Sequence, residues 1–195
     1  MLITLNKLIE PISYAGQHYK ISDLLVNRNT WEISKCVITH NAGTTSGNSL
    51  LNPQLIEITK SKDDQPLSIS IKKTPGPSKD ESSSDDRLLS NIFELSLISD
   101  GRKLGHIKEV IIDTASWSVP LIISDSRNWI PLSGRDIIIP TIHLEYIDWI
   151  SKCVHTKHTN KTIKSSPSVC IRGGTLHNKD SEIITDYYNA VINQN

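Results

Sequence analysis

Apolar and polar residues alternate with a period of two through much of the chain. Trp31, Ile33 and Val37 interleave with Glu32, Ser34 and Cys36, and Leu67, Ile69 and Ile71 interleave with Ser68, Ser70 and Lys72. That period turns one side chain inward and the next outward, as in a half-buried strand. Denser apolar runs, Ile21–Val26 and Val110–Ile112, are too short for independent helices and read as more deeply buried strands. Turn chemistry separates them: Ala15-Gly16, Asn27–Thr30, and a Gly/Ser/Thr-rich loop over Asn41–Ser49. The most distinctive stretch, Glu109–Asp125, reads as strand, polar turn closing at Trp117, and returning strand. Many short strands with turns between them predict an all-β fold.

The Trp117 stretch has a counterpart at Asp23–Thr39, closed by Trp31, so the chain reads as an internal duplication. Sliding it by 86 residues lays Trp31 on Trp117, Ile21 on Ile107 and Leu24–Val26 on Val110–Ile112. One extra residue later on, Pro53 falls on Pro140. Between the copies, Pro75–Arg87 holds two prolines, one glycine, four serines and six charged residues, with no apolar side chain to order it. The predicted organisation is a first barrel over residues 1–75, a polar linker over 76–90, a second barrel over 91–168, and a tail over 169–195. In the tail, Asp180 is placed to cap a helix whose apolar stripe is Ile183, Ile184, Tyr187, Tyr188 and Val191.

Charge narrows the function classes. The 195 residues carry 21 Lys plus Arg and 21 Asp plus Glu, so no global field favours nucleic acid or an anionic membrane. No apolar run of about 18 residues argues for a membrane span. The N-terminus shows no signal-peptide cleavage pattern, and the expected location is the cytoplasm. Cys36, Cys153 and Cys170 are odd in number and not closely spaced, which suits free thiols in a reducing compartment.

The second copy resembles the PRC-barrel family, which includes the cytoplasmic domain of the photosynthetic reaction-centre H subunit and the C-terminal domain of a ribosome-maturation factor. The resemblance rests on Asp100–Asp113, Ser116-Trp117, Leu121–Pro131, Asp136–Pro140 and Thr162–Pro167. Asp186-Tyr187-Tyr188 is similar to the tail of bacterial stand-alone members. It covers Ile92–Pro167 well and Leu8–Pro75 more weakly, through the repeat. It implies two small antiparallel β-barrels in tandem with a short C-terminal helix. It also implies a scaffold, because this fold is reused in unrelated settings.

Candidate chemistry is sparse. Cys153, His155 and His158 are close in sequence, but on a strand Cys153 and His155 share one face while His158 points to the other. Ordinary strand residues are the favoured reading over a metal site or a Cys-His catalytic pair, and no cofactor is expected. Gly43–Gly47 lacks the lysine and following helix of a phosphate-binding loop. Trp31 and Trp117 occupy equivalent turns and read as packing residues. Arg127, Trp129, Arg135, Tyr146 and Trp149 occur in the second copy only, and Trp, Tyr and Arg dominate protein-binding energetics. The expectation is a non-catalytic interaction or scaffold protein that binds a protein partner or a second copy of itself through Arg127, Trp129, Arg135 and Trp149. The alternatives are an accessory role in ribosome or RNA metabolism, and a metal- or small-ligand-binding stress protein built on Cys153, His155 and His158.

Overall fold

The computed structural model describes residues 1–9, 11–14, 17–42, 45–59, 68–72, 84–125 and 136–192. Strand dominates, and the fold is all-β overall with few helices. The first half runs β1 (Leu2–Thr4), the one-turn helix α1 (Leu5–Leu8), β2 (Pro11–Tyr14), β3 (Gln17–Asn27), β4 (Ile33–Ala42) and β5 (Thr45–Leu51). A 3-10 turn at Pro53–Leu55, β6 (Ile56–Thr59) and β7 (Ser68–Ile71) follow. The second half repeats this order. It runs β8 (Asp86–Leu88), a 3-10 turn at Leu89–Glu94, β9 (Ser96–Ser99), β10 (Arg102–Asp113), β11 (Ser118–Asp125) and β12 (Asp136–Pro140). A 3-10 turn at Thr141–His143, β13 (Leu144–Asp148) and β14 (Cys153–Thr156) complete it. Helix α2 (Asn160–Lys164), β15 (Thr175–Leu176) and helix α3 (Asn178–Ile192) form the tail.

The chain divides into two compact units that cut across this order. An eight-stranded unit comprises Met1–Leu5, Asn91–Asp113 and Val119–Asn195; the other comprises Asn6–Ser90 and Thr114–Ser118. In the first, the strand order is β12-β11-β10-β9-β14-β13, with β1 laid between β10 and β15. In the second, a five-stranded sheet runs β2-β3-β4-β5 with β8 on β3, beside a separate β6-β7 pair. The leading strands are therefore exchanged. β1 opens the first half of the chain but pairs with β10 of the second, and β8 opens the second half but pairs with β3 of the first. The expected boundaries at 75 and 91 follow the linear repeat, whereas the units follow strand pairing. Asp86–Leu88, inside the stretch read as linker, is β8; residues 76–83 of that stretch lie outside the described residues.

Other departures from the sequence reading are local. One pair, β14 with β9, is parallel (Val154 opposite Leu97), so the strands are not all antiparallel. It arises because β14 returns to β9 across the sheet instead of through a hairpin. The Asn41–Ser49 loop is mostly hairpin: β4 and β5 pair from Cys36↔Leu51 to Ala42↔Thr45, leaving Gly43 and Thr44 outside the described residues. α3 starts at Asn178, two residues before the predicted cap, so Asp180 lies in the first turn, where its charge suits the helix dipole. Ile183 is exposed while Ile184 and Tyr188 are buried, because one residue is a 100° step and only one of the adjacent pair can face the sheet.

The core of the eight-stranded unit is continuous aliphatic packing: Val110, Ile111 and Ile112 of β10, Val119 and Leu121–Ile123 of β11, Ile137–Ile139 of β12, and Ile3 of β1, all buried. Trp31 and Trp117 are buried and hold left-handed backbone, φ 62° and 51°. A bulky side chain rarely adopts that region, and each half of the chain places a tryptophan there at the close of a turn between two strands. Asn27 shapes the first turn, its side-chain oxygen accepting from the N–H groups of Asn29 and Thr30. The second turn joins the five-stranded unit, where Trp117 O accepts from Ile33 N (2.7 Å) and Ser118 bridges Glu32.

Candidate functional site

Strand β13 is the last strand of its sheet and, among the described residues, pairs only with β14. Leu144 lies opposite Thr156 and Tyr146 opposite His155, so Glu145 is the extra residue of a bulge. Beyond the bulge, Tyr146 stacks on His155 across the strands, ring centroids 4.2 Å apart and planes 13° from parallel. Cross-strand aromatic pairs of this kind stiffen a hairpin by roughly 0.2–1 kcal/mol.

The hairpin tip is held by Asp148. Its carboxylate accepts from the N–H groups of Ile150 and Ser151 and from the Ser151 hydroxyl. These bonds, the Ser151 hydroxyl foremost, hold the carboxyl below its ordinary range. Lys152 follows in left-handed backbone (φ 53°) and pairs with Glu94. Trp149 is half-buried at this tip.

Exposed apolar side chains concentrate here. Five large hydrophobic side chains are exposed among the described residues, and three of them fall in this segment: Ile142 (63%), Tyr146 (52%) and Ile150 (98%). Singly exposed apolar residues are ordinary; these three fall within nine residues of one another along the chain. The bulge at Glu145 and the charges of Glu145 and Asp148 blunt β13 against addition of a further strand.

Of the sequence-derived binding residues, Trp149 lies at this hairpin, while Arg127, Trp129 and Arg135 lie outside the described residues. Ile142 and Ile150 escaped sequence reasoning. Ile150 looked like one more apolar residue in Tyr146–Ile150, and only the Asp148 turn sends it outward.

The three metal candidates separate. Cys153 and His155 sit half-buried on the side of Tyr146, and His158 is buried in the opposite direction. No group of three or more metal-ligating side chains occurs among the described residues. All three cysteines are free thiols; burial pushes the Cys36 thiol far up, whereas Cys170 is exposed. Comparison of the chain with protein-family models gives no match, and comparison with curated proteins gives none either.

Proposed function

We propose that the chain is a non-catalytic interaction module, a tandem of PRC-barrel-like copies whose second copy binds a protein partner or a second molecule of itself. The observation that carries this reading is the cluster of Ile142, Tyr146 and Ile150, exposed on one edge hairpin beside Trp149. The recurring order of strands supports the tandem, and the resemblance of Asp100–Asp113 and Leu121–Pro131 supports its family. Arg127, Trp129 and Arg135 stay in the proposal on their residue chemistry, in the connection between β11 and β12.

Mechanistically, such a face binds by desolvation. Burying Tyr146 and Ile150 removes apolar surface worth roughly 1.5–3 kcal/mol per side chain, and the Asp148 turn and the Tyr146–His155 stack hold both in place beforehand. Replacing Tyr146 by alanine together with Ile150 by aspartate is expected to cut partner recovery, or self-association measured by light scattering, at least tenfold while costing no more stability than the roughly 1 kcal/mol of the lost Tyr146–His155 stack. Unchanged recovery would remove this hairpin from the binding surface. A complex that survives both substitutions but dissolves as salt rises from about 50 to 200 mM would point to nucleic acid instead.

A further inference from the structure

We propose that His143, His158 and Tyr188 form an acid-opened latch that holds helix α3 on the eight-stranded unit at neutral pH and releases it in acid. Three elements bring one ring each. The pairing of Leu144 with Thr156 draws the residues flanking β13 and β14 together, leaving the rings of His143 and His158 with centroids 4.8 Å apart. α3 then lays Tyr188 over both, 5.6 Å from His143 and 4.7 Å from His158. The main chain below is fixed: His143 O accepts from Lys157 N (3.0 Å), and His158 O accepts from the Ser99 hydroxyl (2.7 Å). α3 is tied nearby through Tyr187, whose hydroxyl donates to Thr162 O (2.7 Å).

All three rings are buried, at 3%, 5% and 0% exposure for His143, His158 and Tyr188. Both ring nitrogens of His143 and Nε2 of His158 have no hydrogen-bond partner among the described residues. A neutral imidazole tolerates that environment at some cost, while an imidazolium there would be far more expensive. Around His158 the neighbouring charges add to the cost of a positive charge instead of offsetting it. Lys157, after β14, repels both rings, and the two histidines repel each other. On α3, Tyr188 contributes an aromatic face, and Asn189 favours the His143 cation, opposing burial and outweighing the repulsion from Lys157. At α2, Asn160 Oδ1 is itself buried without a partner, and the Asp100 carboxylate accepts from Asn160 N (2.8 Å). A proton can be accommodated only when the rings reach water, and Tyr188 on α3 stands in the way.

The direction follows from proton linkage. Burial, then the charges of His143 and Lys157, push His158 down to about 4; burial, with Lys157 adding and Asn189 opposing, pushes His143 down as well. With α3 released, both return toward about 6.5, so the released state binds more protons. Docking is complete above about 6.5 and weakens as pH falls toward 4. A displacement of His158 from 6.5 to about 4 corresponds to a roughly three-hundredfold change in the docking equilibrium once pH lies below both values.

Amide exchange of the full chain at pH 7.5 and pH 4.5, corrected for intrinsic rates, tests this. The expected result is a tens-fold or greater loss of protection in α3 at the lower pH, with β10 and β11 unchanged. The double variant H143F/H158F keeps the rings but not the charge, and should hold α3 at both pH values. K157Q, an exposed change, should move the loss to lower pH. Equal α3 protection in the wild type at both pH values, or equal acid loosening in H143F/H158F, would overturn the proposal. Should the double variant fold poorly, the imidazole C–H resonances of the wild type decide the matter. A His158 midpoint near 4 that coincides with release supports the latch, and titration near 6.5 with α3 still docked overturns it.

Discussion

A chain lacking Met1–Leu5 is expected to lose the fold of the eight-stranded unit. Ile3 is fully buried, Leu2 and Leu5 nearly so, and β1 lies between β10 and β15 with Leu2 opposite both Asp113 and Leu176. Removing a single buried Leu or Ile side chain costs about 2–5 kcal/mol, and a whole domain is stable by only about 5–15. Three such side chains together with a central strand's ladder therefore remove most of the unit's stability. They also bare the edge of the twelve-residue strand β10 at its apolar Val110–Ile112 end, which invites mispairing. The milder variant Ile3→Ala should cost about 3 kcal/mol. Amide exchange locates the damage: protection should fall in β10, β11 and β15 and persist in β3 and β4. Loss confined to β3 and β4 would mean that β1 serves its own copy, and the exchange of leading strands would be wrong.

Gly105→Ala is expected to be nearly as damaging through one atom. A Cβ on Gly105 would stand 2.0 Å from the main-chain oxygen of Asp125 and 2.8 Å from its carbonyl carbon and from Ser124 Oγ. The carbonyl cannot swing aside, because Asp125 is paired with Asp136 and Ser124 Oγ is bonded to His106 O. Relief requires β10 and β11 to separate, at a cost of about 3 kcal/mol or more. Gly101→Ala is the control. Its φ is +68° but nothing lies within 4 Å of the added atom, so only the backbone penalty of about 1 kcal/mol applies. Chemical denaturation should separate the two substitutions clearly; a Gly105→Ala midpoint equal to that of Gly101→Ala would show that β10 and β11 do not approach so closely.

The strands were legible because alternation is a local signal. Ile21–Val26 and Val110–Ile112 are strands, and the Asn27–Trp31 turn lies where asparagine and threonine place it. The exchange of β1 and β8 was not legible. Three-residue strands carry too little pattern to say which sheet edge accepts them, and Asp-Arg-Leu at β8 reads as a continuation of a charged linker. Bulges hid further detail: the register shifts between Ile21 and Asp23 and between Lys103 and Gly105 break the period of two on which facing is inferred. The separation of His158 from Cys153 and His155 was readable from spacing, since odd and even positions of a strand face apart. Its meeting with His143 and Tyr188 was not, because β-pairing and helix docking bring together residues 15 and 30 positions from it along the chain.

The proposed binding face is tested most directly by a photo-crosslinking residue placed at position 150, with position 101, also exposed, as the control. Position 150 is expected to give a single specific adduct, either with one protein or with a second copy of the chain, that disappears when Tyr146→Ala is added. No adduct at 150, or the same adduct in equal yield from 101, would contradict an interaction face on the β13–β14 hairpin.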